Sequence, residues 1–214
     1  GVAIYYRAFF SAGTATGRIS GNRLWNYQKG GIVANGAGTD VQVLENTVTG
    51  QGPVNWIAQN GIQVGYGASA SVMKNTVTGH SYTGGYWASG GILVLGGAGY
   101  GTCPDGNACP YTTGTKVVQN VLDGNDVGVY LSNVGAAPSY NAPSTATNVK
   151  VVNNRISNTT LLNPDYQTAI SDVGNNDKLI ANTIVGYTAG VGNYTVPIDA
   201  DPSFTNRAKV HANK

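Results

Sequence analysis

Charge is scarce in this chain. Lysine and arginine number 12 and aspartate and glutamate 10, so charged residues are 10% of 214 and the formal net charge is +2. A surface so poor in charge must be covered by amides, hydroxyls and tyrosines, as in secreted and cell-envelope proteins, and the weak net charge gives no basis for a nucleic-acid partner. No apolar run reaches the 18 residues of a membrane span, so none is expected. Helical 3.6-residue periodicity is missing over any useful length, which sets helical folds aside. The chain opens on Gly1, with neither an initiator methionine nor a signal peptide, and reads as a mature or trimmed product. Only two cysteines are present, too few for a structural zinc site.

What is plentiful is repetition. The phrases GRISGNRL, VQVLENTV, SVMKNTV, TKVVQNVL, VKVVNNRI and DKLIANTI carry Asn22, Asn46, Asn75, Asn120, Asn154 and Asn182 at one common place. Three residues earlier stand Ile19, Val43, Val72, Val117, Val151 and Leu179, and two residues later Leu24, Val48, Val77, Leu122, Ile156 and Ile184, so both columns are aliphatic and core-facing. Four residues earlier the column reads Arg18, Gln42, Ser71, Lys116, Lys150 and Lys178, which faces water. GVAI, GIVA, GIQV and GILV begin at Gly1, Gly31, Gly61 and Gly91, a constant spacing of 30. Fixed spacing of short β-branched runs between turn residues predicts coils of strands that stack and share a core. Asparagine suits the turn because it tolerates the left-handed backbone region, and its amide can donate to one neighbouring coil and accept from the other.

With these columns in view, the chain resembles the right-handed parallel β-helix superfamily, the pectate-lyase-like fold of secreted bacterial type, in which an internal asparagine ladder recurs. The resemblance covers about residues 1–186. It implies an all-β, right-handed parallel β-helix solenoid of about six to seven coils, with long loops at about 95–114 and 132–147 and a C-terminal tail or cap at 187–214. The closing Asp201-Pro202-Ser203-Phe204-Thr205-Asn206 is similar to the tail that follows the last coil in such proteins. Those proteins cover their first coil with an N-terminal element, and nothing precedes GVAI here. A further N-terminal segment of the precursor, or another copy of the chain, is therefore expected on that end.

Cys103 and Cys109 lie in the longest excursion between strands and read best as a disulfide, which places the chain in an oxidising compartment. Asn158 and Asn193 head glycosylation sequons. Trp25, Trp56 and Trp87, spaced by 31, should project from one side of adjacent coils, either as glycan contacts or as cover for the core edge. Tyr6 and Tyr66 share one offset, with Gly36 and Gly96 leaving gaps between them, which suggests a groove. Lys116, Lys150 and Lys178 form a cationic stripe suited to an acidic polysaccharide, or else a solvated face.

The 10 acids are dispersed. No motif emerges for the calcium-holding carboxylates of the superfamily's lyases or the clustered aspartates of its hydrolases, although Asp123, Asp126 and Asp172 could converge in space. No metal ligand set is nominated, and calcium enters only if the protein is a lyase. His80 reads as an exposed turn residue. Two functions follow as expectations: a carbohydrate-active protein acting on or binding a polysaccharide, or a noncatalytic extracellular surface or fibre module.

Overall fold

Short β-branched runs cut by glycine and asparagine can satisfy their backbone only by pairing with distant copies of themselves, and that is what they do. The computed structural model describes residues 1–9, 13–188 and 194–214. Among these the chain is nearly all β, arranged as three wholly parallel sheets. Sheet 1 holds β1 (Val2–Arg7), β4 (Gly30–Asn35), β7 (Asn60–Gly65), β10 (Gly90–Gly96), β13 (Val127–Asn133), β16 (Tyr166–Val173) and β19 (Tyr194–Asp199), in that order. Sheet 2 holds β2 (Ala15–Ser20), β5 (Thr39–Leu44), β8 (Ser69–Met73), β11 (Lys116–Val118), β14 (Lys150–Val152), β17 (Lys178–Ile180) and β20 (Lys209–His211). Sheet 3 holds β3 (Arg23–Leu24), β6 (Thr47–Thr49), β9 (Thr76–Thr78), β12 (Val121–Asp123), β15 (Arg155–Asn158) and β18 (Thr183–Gly186). The chain visits the three sheets in rotation, and each circuit lays one strand beside its predecessor.

One aliphatic column from each sheet makes the core. Sheet 1 contributes Ile4, Ile32, Ile62, Ile92, Val129, Ile170 and Ile198, all in register. Sheets 2 and 3 contribute the two columns that flank the asparagines, and the interior members of all three are fully buried. Residues 187–214, expected as a tail or cap, supply β19 and β20 and so extend sheets 1 and 2.

The asparagines form one continuous row. Asn46 Nδ2 donates to Asn75 Oδ1 at 3.0 Å and to the Ile19 carbonyl at 2.9 Å, while its Oδ1 accepts the backbone N–H and side-chain amide of Asn22. The pattern repeats to Asn182 and on to Asn213, which extends the row beyond the six phrases. The left-handed residue, however, is not the asparagine. It is the one before it: Gly21, Glu45, Lys74, Gln119, Asn153, Ala181 and Ala212 all have φ between 54 and 69°. Bending one residue earlier turns the asparagine inward, where its Oδ1 reaches both donors of the preceding circuit.

Two expectations of register give way. Val2 pairs with Gly30 and Tyr6 with Ala34, so the first repeat is 28 residues long and GVAI is offset by two from GIVA. Tyr6 therefore stands in the inward column of Ala34 and Val64, packs over Gly17 against the core, and shares no column with Tyr66.

Cys103 and Cys109 are bonded, closing a protrusion braced by an antiparallel bridge between Thr102 and Ala108. A Cys103→Ser/Cys109→Ser chain is expected to lose about 2 kcal/mol of unfolding free energy in urea melts, the loop-closure value for so short a ring, with strand circular dichroism unchanged. Asn158 is buried, donates to the Asn125 carbonyl and accepts from Thr160 N, which closes that sequon to a glycan. The second sequon asparagine, Asn193, lies outside the described residues.

Candidate functional site

On the outer face of sheet 1 the alternation of the strands sets Gln63, Leu93 and Tyr130 side by side, one from each of β7, β10 and β13. These side chains floor a groove of about 700 Å³. One wall comes from the connections carrying Trp56, Tyr82, Tyr86, Trp87 and Asp165; Tyr66 and Tyr100 stand on the other. Tyr66 meets Tyr100 edge to face at 6.0 Å, and Tyr130 lies 6.1 Å from Tyr166, so four of the lining rings stand in two pairs. Trp56 and Trp87 are 54% and 71% exposed. Rings that open to water are not sealing the core edge.

The trunk beneath this wall is hydrogen-bonded and buried. Asp126 Oδ2 accepts the backbone N–H groups of Tyr82 at 2.7 Å and Ser89 at 3.0 Å. Asn163 Nδ2 donates to the carbonyls of Tyr82 and Trp87, both at 2.8 Å, and reaches Asp126 Oδ2 at 3.3 Å. Two polar side chains thus hold the connections that carry Tyr82, Tyr86 and Trp87. Burial raises Asp126 to about 6 against the pull of those hydrogen bonds, so it is a structural acid beneath the wall.

His80 is also structural. The expected exposed turn residue is fully buried: its ring bonds the Tyr27 hydroxyl through Nε2 and Asn125 Oδ1 through Nδ1. Desolvation depresses it to about 4 and keeps it neutral near pH 7. Glycines allow this, because a Cβ at Gly61 would lie 2.9 Å from the imidazole.

The nominated side chains divide among different faces. Trp56, Trp87 and Tyr66 line the groove. Trp25 sits apart with Arg23, Leu24, Thr47 and Thr49. Tyr6 points inward. Lys116, Lys150 and Lys178 stand in register on sheet 2, away from the groove. The other lining residues have no place in the sequence reading, among them Lys29, Tyr82, Tyr86, Tyr100, Tyr130, Asp165 and Tyr166. Tyr86 had a signal, since it adjoins Trp87; the others gain meaning only from long-range packing.

The polar chemistry of the groove is sparse. Lys29 Nζ donates to the Ala58 carbonyl, and burial lowers its pKa. Asp165 is the one carboxylate among the lining residues, and its Oδ2 accepts the Tyr86 N–H. The Tyr100 hydroxyl is 2.6 Å from Ser132 Oγ and is pushed up to about 12, chiefly by burial. Among the described residues no group of three or more His, Cys, Asp and Glu side chains converges as a metal ligand set. Calcium takes 6–8 oxygens, several from carboxylates, and Asp165 alone does not make such a cradle in the groove. Asp123, Asp126 and Asp172 do not converge either: Asp123 is exposed and bonds Ser157 at 2.6 Å, whereas Asp172 is buried beside Asp177. The groove can stack flat apolar faces on rings and satisfy hydroxyls with Asn60, Gln63 and main-chain groups.

Comparison with protein-family models, curated proteins and solved structures gave no match.

Proposed function

We propose that this chain is a right-handed parallel β-helix solenoid of the pectate-lyase-like type that works outside the cell, or in its envelope, by binding a polysaccharide in the aromatic groove of sheet 1 without cleaving it. The observation that carries this is the pair Trp56 and Trp87, exposed on one wall above a floor bearing Gln63 and Tyr130. Pyranose C–H faces pack on aromatic rings, and the hydroxyls at a ring's edge need amide or hydroxyl partners, both of which the groove supplies. Three parallel sheets visited in rotation, with an internal amide row, support the solenoid reading. The disulfide supports an oxidising compartment.

A noncatalytic role is favoured by the carboxylates. Glycoside hydrolysis uses two carboxyl groups about 5–10 Å apart across the scissile bond, and Asp165 has no such counterpart among the groove's lining residues.

Calorimetric titration of the chain against a panel of soluble neutral and acidic polysaccharides tests the proposal. Binding to at least one is expected, with a Trp56→Ala/Trp87→Ala chain at least tenfold weaker, about 1.4 kcal/mol or more. The same mixtures, followed for reducing ends and for the absorbance of unsaturated uronates, are expected to stay unchanged. Undiminished binding by the double variant would remove the groove; product formation would remove the noncatalytic assignment.

A further inference from the structure

A second surface, on another sheet, has a different chemistry. The four strands β11, β14, β17 and β20 read KVV, KVV, KLI and KVH, and they pair in register so that Lys116, Lys150, Lys178 and Lys209 form one column. The earlier rungs of that column are Arg18, Gln42 and Ser71. The next outward column on the same face is Leu44, Met73, Val118, Val152 and Ile180, all half-buried, followed by His211. Among these four lysine-bearing strands there is no aspartate or glutamate. Among the described residues none of the four ammonium groups has a hydrogen-bond acceptor or an ionic partner.

Such an arrangement is costly for the protein alone. Neighbouring strands lie roughly 4.8 Å apart, so adjacent ammonium groups held at that distance repel even in water. Like charges directly opposite one another destabilise a sheet, and one glutamate per second rung would turn the repulsion into attraction. The column instead repeats one sign over four successive strands, beside a row that is aliphatic on the first three of them.

We infer that this face of sheet 2 is a docking surface for a linear acidic polysaccharide, one bearing a carboxylate or sulfate on its sugar rings, laid across the strands. The strand spacing is of the same order as the rise per sugar of an extended 1,4-linked chain, so acidic groups on the side of the polymer that faces the sheet fall within reach of the lysine column while ring C–H faces rest on the aliphatic row. Nucleic acid fits less well. Its duplex phosphates recur at about 3.4 Å per strand, and His211 is the one ring in these two columns, too few to stack on successive bases. This surface is independent of the groove on sheet 1, and neither assignment needs the other.

The test uses the full chain and two polymers with one backbone, anionic carboxymethylcellulose and neutral hydroxyethylcellulose, in affinity electrophoresis at low and high salt. The chain is expected to be retarded by the anionic polymer at least tenfold more strongly than by the neutral one, and to lose that difference as salt screens the lysines. A Lys116→Gln/Lys150→Gln/Lys178→Gln/Lys209→Gln chain is expected to lose the difference at low salt, with a melting temperature no lower than the parent, since repulsion has been removed. The Trp56→Ala/Trp87→Ala chain is expected to keep it. Equal retardation by both polymers, or an unchanged difference in the lysine variant, overturns the inference. So does tighter binding to phosphatidylserine vesicles or to a single-stranded oligonucleotide than to carboxymethylcellulose. Loss of the difference in the tryptophan variant alone would assign the anionic polymer to the groove.

Discussion

Asn120→Ala should lower the unfolding free energy by about 3–5 kcal/mol, the largest loss expected from any single substitution in the amide row. The side chain is buried, and four hydrogen bonds end on it. Its Oδ1 accepts the backbone N–H of Asn75 at 2.9 Å and the Asn75 amide at 3.0 Å, while its Nδ2 donates to the Val72 carbonyl and to Asn154 Oδ1, both at 3.0 Å. Truncation takes the acceptor from the Asn75 N–H groups and the amide donor from the Val72 carbonyl, all on the preceding circuit and out of reach of water, while Asn154 Oδ1 keeps the Asn120 backbone N–H. A buried group left unpaired costs about 1–3 kcal/mol, and whole domains hold only about 5–15 kcal/mol in reserve. Asn22→Ala, at the part-exposed start of the row, should cost under about 1 kcal/mol, since water replaces what is lost. Urea denaturation of both variants makes the comparison. Equal losses at the two positions would mean that the row is decorative.

The second large effect is an inverted dependence on pH. Asp177 is buried, its Oδ1 taken by Thr147 Oγ1 and the Val149 N–H at 2.7 Å each. Its Oδ2 and Asp172 Oδ1 both face Gly174, and neither has another protein partner. Two buried carboxylates meeting in this way must share a proton. Burial first, and then the charge of Asp172, raise Asp177 to about 8. An unfolded aspartate titrates near 3.9, so between about pH 4 and 8 the folded chain holds a proton that the unfolded chain has released. Stability from this group is complete below pH 4 and is lost as pH rises through 8. Asp126, raised to about 6, acts in the same direction up to that pH. His80, depressed to about 4, acts oppositely, adding stability as pH rises toward 6.5. Above pH 6.5 the aspartate pair remains, and stability should fall by about 2 kcal/mol between pH 6.5 and 8. Denaturant melts at those two values measure it. Asp177→Asn, whose Oδ1 can keep the bonds to Thr147 and Val149, should flatten the slope; a slope unchanged in that variant would assign it elsewhere.

The core could be read from the chain, while most of the groove could not. A strand in fixed register copies its neighbour residue for residue, so the columns around Asn46 or Asn120 carry the inward and outward sense of every rung. The final copy was also present, since Lys209-Val210-His211-Ala212-Asn213 repeats the phrase of Lys178-Leu179-Ile180-Ala181-Asn182, but it is cut short after the asparagine. Connections obey no such rule. The course of the wall depends on Asn163, which reaches back 81 residues to the Tyr82 carbonyl and 76 to that of Trp87. No local pattern encodes that reach. His80 misled for the same reason: its neighbours in sequence describe a turn, and only Tyr27 and Asn125 from other circuits make that turn an interior.

The row of asparagines also has a direction. Every Oδ1 from Asn46 to Asn213 takes its protons from the asparagine of the preceding circuit, so the amide carbonyls all point the same way. Aligned amide dipoles add and polarise one another. The molecule therefore carries a buried electrical axis, with its oxygen pole at Asn22 and its N–H pole at Asn213. Reversing any one amide would set like poles against each other on both sides, so the orientation of one asparagine dictates that of the rest.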